Sequence, residues 1–191
     1  MSKLKNSLNN GLDSGLTINE IKEILIQLYA YTGFPRSLNA LTTFREVVEE
    51  RKSKGVKDEL GKEANTLPTN KSSIEVGTEI QTELVGSPVS GKLYEFAPAM
   101  DKFLKGHLFG EIFGRGVLDY KSREMVTIAA LASMDGVDSQ LMSHYLIGLN
   151  AGLTQDQIMG IISVLEHEIG HEKAQNAYRL LNETLKDKNL I

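Results

Sequence analysis

Residues 4–40 of this chain align without a gap beneath residues 141–177, at a constant offset of 137. Twelve of the 37 positions are identical: Leu4/Leu141, Gly11/Gly148, Leu12/Leu149, Gly15/Gly152, Leu16/Leu153, Thr17/Thr154, Ile21/Ile158, Ile24/Ile161, Leu28/Leu165, Gly33/Gly170, Asn39/Asn176 and Ala40/Ala177. Self-similarity of this kind constrains architecture before any single residue does, because the chain must build one supersecondary unit twice.

The repeated unit reads as helix, turn, helix, turn, helix. Gly15 and Gly152 fall where a helix ends in a left-handed residue. Thr17-x-x-Glu20 and Thr154-x-x-Gln157 then form capping boxes, each hydroxyl accepting a backbone N–H while the third residue reaches back. Ile21, Ile24, Leu25 and Leu28 follow at helical spacing, as do Ile158, Ile161, Ile162 and Leu165. Gly33 and Gly170 end that helix. A last apolar stripe runs through Leu38, Leu41, Phe44 and Val48 in one copy, and through Ala174, Ala177, Leu180 and Leu181 in the other.

The copies differ upstream. The second is preceded by two expected helices, Tyr94 to Phe113 and Asp119 to Met134, with Asp119 as N-cap of the latter. The chain therefore divides into a partial unit over residues 1–51, a linker over 52–90 and a complete unit over 91–191. The linker is rich in Lys, Glu, Gly, Ser and Thr and carries Pro68 and Pro88, with a short helix expected near Thr78 to Leu84.

Composition narrows the partners. An apolar share of 41% supports a core, and 21 basic against 25 acidic residues leave a net charge of −4. That balance gives no basic surface for nucleic acid and no attraction to an anionic membrane. The N-terminus lacks a signal-peptide apolar stretch and no apolar run is long enough to span a bilayer, so a cytoplasmic location is expected. With no cysteine, disulfides, thiolate metal sites and Cys nucleophiles are excluded.

Several segments, in order, carry a family resemblance. Phe109-Gly110-Glu111-Ile112-Phe113-Gly114-Arg115-Gly116-Val117-Leu118 precedes Arg123-Glu124-Met125-Val126-Thr127-Ile128-Ala129, then His144, then Asn150-Ala151-Gly152-Leu153-Thr154. Tyr31-Thr32-Gly33-Phe34-Pro35 adds a further turn. This order resembles the carboxymuconolactone decarboxylase family. The resemblance implies an all-α, alkylhydroperoxidase-D-like fold that assembles as homo-oligomers, trimers or hexamers. It also implies a small-molecule carboxylate as substrate and no cofactor. Thiol-peroxidase relatives place a Cys-x-x-Cys pair where this chain has Val137 and Gln140, so that chemistry has no nucleophile here.

The decarboxylase branch needs only a proton donor and cations. By motif position His144 is the expected proton donor, and imidazoles ordinarily titrate near neutrality. Glu124 orients it or serves as the acid itself. Arg115 and Arg123 are expected to clamp substrate carboxylates. Against these stand blander roles: Glu124 and Arg123 near a helix start, where acids favour the dipole, and His144 as a half-buried histidine satisfied by a carbonyl. The second reading is a non-catalytic oligomeric binding protein on the same scaffold.

His167-Glu168-Ile169-Gly170-His171 matches the H-E-x-x-H pattern of zinc peptidases. The repeat sets Gly170 in a helix-ending turn, which separates the two histidines. No third ligand follows at the spacing some zinc peptidases use, so no metal site is expected.

Overall fold

Side-chain caps at Thr17, Ser72, Asp119 and Thr154 set four of the helix starts. The computed structural model describes residues 2–188, and no strand occurs among them. The fold is all-α, as the helical periodicity and the resemblance both imply. No helix among the described residues is long and apolar enough to cross a membrane. The chain forms two units, one from residues up to Thr66 plus Arg115–Leu118, the other from Leu67–Gly114 and Asp119 onward.

The first unit holds α1 (Ser2–Asp13), α2 (Ile18–Gln27), α3 (Tyr29–Thr32) and α4 (Phe34–Ser53). Gly15 adopts φ 96°. Its N–H donates to Leu12 O at 3.0 Å, and that of Leu16 donates to Gly11 O at 3.0 Å. These two bonds are the pair of a Schellman turn. Thr17 and Glu20 then form the expected capping box. Leu8, Leu12, Ile21, Leu25, Phe44 and Val47 make the core of this unit. Carbonyls of the following strap accept from the first amides of α2, Glu59 O from Ile18 N and Leu60 O from Asn19 N, both at 2.9 Å. Helix N-termini leave such amides without internal partners, so the strap is stitched to α2.

Two expectations change here. The helix from Ile18 breaks at Leu28 and resumes as α3 before reaching Gly33. The stripe on α4 is also rotated: Leu38 is 58% exposed, whereas Val47 is 1% exposed. The inward row begins instead at Ser37, which is buried and donates to Leu25 O at 2.5 Å. That row continues through Phe44 and Val47, leaving Leu38 one residue, about 100°, off the face.

The second unit holds α5 (Ser73–Val85), α6 (Lys92–Phe96), α7 (Pro98–Phe103) and a π-helical segment, Leu104–Ile112, closed by a 3-10 turn at Phe113–Arg115. It continues with α8 (Tyr120–Ala132), α9 (Asp138–Asn150), α10 (Gln155–Ile169) and α11 (His171–Asp187). The expected helix from Tyr94 to Phe113 is thus in pieces. Ala97, at φ −129° and ψ 71°, is forced out of the helical region by Pro98. Within residues 52–90, the helix near Thr78 to Leu84 begins earlier, at Ser73. Ser72 and Glu75 form a complete capping box there.

Backbone meets backbone between α5 and the π-helical segment. A Cβ on Gly77 would lie 1.6 Å from Lys105 O, and one on Gly110 would lie 2.2 Å from Ser73 O. Only hydrogen fits at either position. Elsewhere in the unit, the wholly buried Tyr145 of α9 donates its hydroxyl to Ala177 O of α11 at 2.8 Å. Burial pushes the Tyr145 phenol well above its ordinary pKa, so it remains a donor. Gly152 has φ 95° and the same pair of turn hydrogen bonds as Gly15, from Gly152 N to Leu149 O and from Leu153 N to Gly148 O.

Candidate active site

Asp119 caps α8 by accepting from Ser122 N at 2.7 Å, as the sequence indicates, and this fixes where Arg123 and Glu124 fall on the helix. His144 projects from α9. One turn later on the same helix is Gly148, where an added Cβ would meet Leu153 Cδ1 at 2.9 Å, Ile128 Cδ1 at 3.1 Å and Glu124 Cβ at 3.8 Å. The missing side chain lets α9 lie close on α8 where Glu124 sits.

His144 Nδ1 lies 2.7 Å from Glu124 Oε2. The Glu124 side chain is 0% exposed and that of His144 is 14% exposed. Nδ1 is the imidazole nitrogen engaged by the carboxylate, which leaves Nε2 as the nitrogen turned away from Glu124. Glu124 Oε1 is buried and has no hydrogen-bond partner among the described residues. A buried acceptor without a donor costs roughly 1–3 kcal/mol.

The two expected arginine clamps are placed differently. Arg123 is wholly buried, its guanidinium carbon 5.4 Å from the centre of the Phe113 ring. Tyr120 stacks on the same ring at 6.5 Å. The Tyr120 phenol is pushed up in pKa by burial and by the Glu83 charge, with Arg123 opposing. Arg115 belongs to the first unit, where Nε donates to Glu23 Oε1 and Oε2 at 2.8 and 3.0 Å. A substrate carboxylate at Arg115 would have to compete with Glu23. Glu23 and Gly148 were not singled out in the sequence as site residues. The only sequence hint was the identity of Gly148 with Gly11 in the repeat.

The positions that hold thiols in peroxidase relatives are inert. Val137 precedes α9, and Gln140 in its first turn accepts from Ser139 Oγ at 3.0 Å. The H-E-x-x-H stretch is split by Gly170 at φ 107°, with His167 on α10 and His171 on α11. Both side chains are exposed, His171 pairing with Glu166 at 2.5 Å and His167 with Glu168 at 3.2 Å. No metal-competent group of three or more His, Asp or Glu residues occurs among the described residues. An open groove of about 500 Å³ runs between α10 and α11, lined by Met159, Ile162 and Tyr178 among others, with neither His144 nor Glu124 in its walls.

Residues 98–183 match the model of the carboxymuconolactone decarboxylase family. The matched span contains both Glu124 and His144. Among curated proteins, the 4-carboxymuconolactone decarboxylase of Acinetobacter baylyi is 27% identical over 115 residues, covering 58% of this chain and 85% of that protein.

Proposed function

We propose that the chain, whose residues 98–183 match the model of the carboxymuconolactone decarboxylase family, is a cofactor-free carboxy-lyase acting on a small carboxylated lactone. The observation that supports this reading best is the buried hydrogen bond between His144 and Glu124, inside the matched region of a chain with no thiol.

The reaction asks little of the protein. The C–CO₂⁻ bond breaks, CO₂ leaves, and the electron pair passes into the lactone carbonyl as an enolate. A proton is then delivered to carbon, so that the carboxylate and one proton become C–H and CO₂. Glu124 holds the imidazole through Nδ1 and stabilises its protonated form, and Nε2–H is the proton source in this reading. The orphaned Glu124 Oε1 is the place for a donor carried by the substrate or by water. Arg123 contributes positive potential from its buried position near the start of α8.

The test is an ultraviolet assay with 4-carboxymuconolactone and close analogues. Replacing His144 by Ala should lower kcat by about 10²- to 10⁴-fold with the helical circular dichroism unchanged. Undiminished turnover in His144→Ala would remove His144 from the mechanism.

A second reading, a non-catalytic binding protein on the same scaffold, is favoured by the groove between α10 and α11, which excludes the His144–Glu124 pair. It predicts a parent protein inert toward every lactone tested. We further propose that the chain is a homo-oligomer. Leu93, Phe96, Met100 and Phe103 all stand exposed along α6 and α7, an apolar row of the kind that marks interfaces. A monomeric mass in sedimentation equilibrium at micromolar concentration would refute this.

A further inference from the structure

His144 and Tyr145 are consecutive on α9, so their side chains leave the helix about 100° apart. His144 faces α8, as does Gly148 one turn on, where a Cβ would meet Ile128 Cδ1 at 3.1 Å and Glu124 Cβ at 3.8 Å. Tyr145 faces α11. It is wholly buried, as is Leu141 one turn before it, and its hydroxyl donates to Ala177 O at 2.8 Å. Polar ties nearer the start of α9, from Asn176 Nδ2 to Asp138 Oδ1 at 3.1 Å and from Arg179 to Asp138 Oδ2 at 3.7 Å, are exposed and individually weak. The offset of 137 sets Leu8 against Tyr145 and Ser7 against His144. Leu8 is 6% exposed in the core of the first unit, so an apolar side chain alone fills that position there. The segment with the imidazole is also the one with the phenol.

We infer that Tyr145 is a positioning residue for His144: its hydroxyl, fastened to Ala177 O, fixes the rotation of α9 at which Nδ1 meets Glu124 Oε2. Apolar contacts are non-directional and let a helix roll. A hydrogen bond specifies both a distance and an angle, and a buried phenol has no water to take its proton instead. A roll of about 10° moves an atom about 6 Å from the helix axis by about 1 Å. Displacements of that size in a catalytic constellation can cost about a hundredfold in rate. The kinetic consequence rests on the lyase reading; the placement of the imidazole does not.

The experiment compares Tyr145→Phe, which removes the hydroxyl and keeps the ring, with Thr184→Val as control. Thr184 is also buried and donates its hydroxyl to a carbonyl of α11, Leu180 O, at 2.8 Å, but it ties α11 only to itself. Two quantities are read in each: the ¹⁵N resonances of the His144 imidazole, and kcat against KM on the lactone. In Tyr145→Phe the nitrogens should move toward those of a solvated imidazole, and kcat should fall about ten- to a hundredfold with KM within about twofold. In Thr184→Val both should stay at the parent values, although each variant melts earlier than the parent. Unaltered His144 nitrogens in Tyr145→Phe overturn the positioning role. So does an equal shift in Thr184→Val, which would trace the change to general loosening. Shifted nitrogens with undiminished kcat, in a parent that does turn over, overturn it as well. If Tyr145→Phe does not fold, Tyr145→Leu, which carries the side chain found at the aligned position 8, decides on the same readouts. Should the parent protein fail to decarboxylate any lactone, the lyase reading falls alone, because the imidazole resonances need no turnover.

Discussion

At the scale of single residues, His144 Nδ1 lies 2.7 Å from Glu124 Oε2, between neighbouring helices. Glu124 and His144 stand in the family's order, and one sits on each of two helices that the pattern already implied. That they share a hydrogen bond follows from the packing of α8 on α9, which depends on the hydrogen-sized side chain of Gly148. Gly148→Ala should therefore separate the helices slightly. The neighbouring atoms are the far ends of Leu153 and Ile128, which can partly yield, so a loss of about 1–3 kcal/mol is expected by chemical denaturation. The same variant should lower turnover, because Glu124 is the third neighbour of the added methyl. A variant as stable as the parent would show that the two helices have room to spare. Glu23 illustrates the opposite case. It lies 92 positions from Arg115, and no periodicity or motif connects residues so far apart.

At the scale of elements, the three capping boxes at Thr17, Ser72 and Thr154 are written in the sequence and formed in the structure. The Ser72 box lies in a stretch whose composition reads as linker, and it starts α5 earlier than the expected Thr78. Pro98 likewise announced a break that the apolar spacing around it obscured. The interlock of α5 with the π-helical segment was not legible, since Gly77 falls in the polar linker and Gly106 and Gly110 fall within the expected helix Tyr94 to Phe113, and no pattern pairs them. Gly77→Ala tests it. With Lys105 O only 1.6 Å from the new Cβ, the clash is with backbone, which cannot rotate away. A destabilisation of at least about 3 kcal/mol is expected from thermal or urea unfolding. A shift under 1 kcal/mol would mean that α5 does not sit where it is drawn. Across the Gly33 break Tyr29 stacks on Phe34 at 4.2 Å, and across the Gly170 break Glu166 bonds His171 at 2.5 Å. The two contacts fall at positions that the offset of 137 aligns, and they are made with different chemistry.

At the scale of the whole molecule, stability against acid should be set partly by the first unit. Arg51 donates to Asp58, with Nη2 at 2.8 Å from Oδ1, and to Asp13, also at 2.8 Å. The Arg51 guanidinium holds the Asp58 carboxyl below its ordinary pKa. A depressed folded-state pKa contributes stability that is present above the unfolded value, near 4, and is lost as pH falls through the folded value. Melting temperature should therefore drop as pH falls below about 4, and more steeply in the parent than in Asp58→Asn, which has already lost the term. Parallel acid profiles for the two proteins would assign the acid sensitivity elsewhere. The excursion of residues 115–118 into the first unit has a practical corollary for anyone dissecting the protein. No single cut separates the two units, because whichever fragment begins after Thr66 carries residues 115–118, with the buried Val117 and Leu118, away from the rest of the first unit. Independent expression of the matched region alone should therefore give sticky, aggregation-prone material, and co-expression of the missing N-terminal piece in trans should restore its solubility.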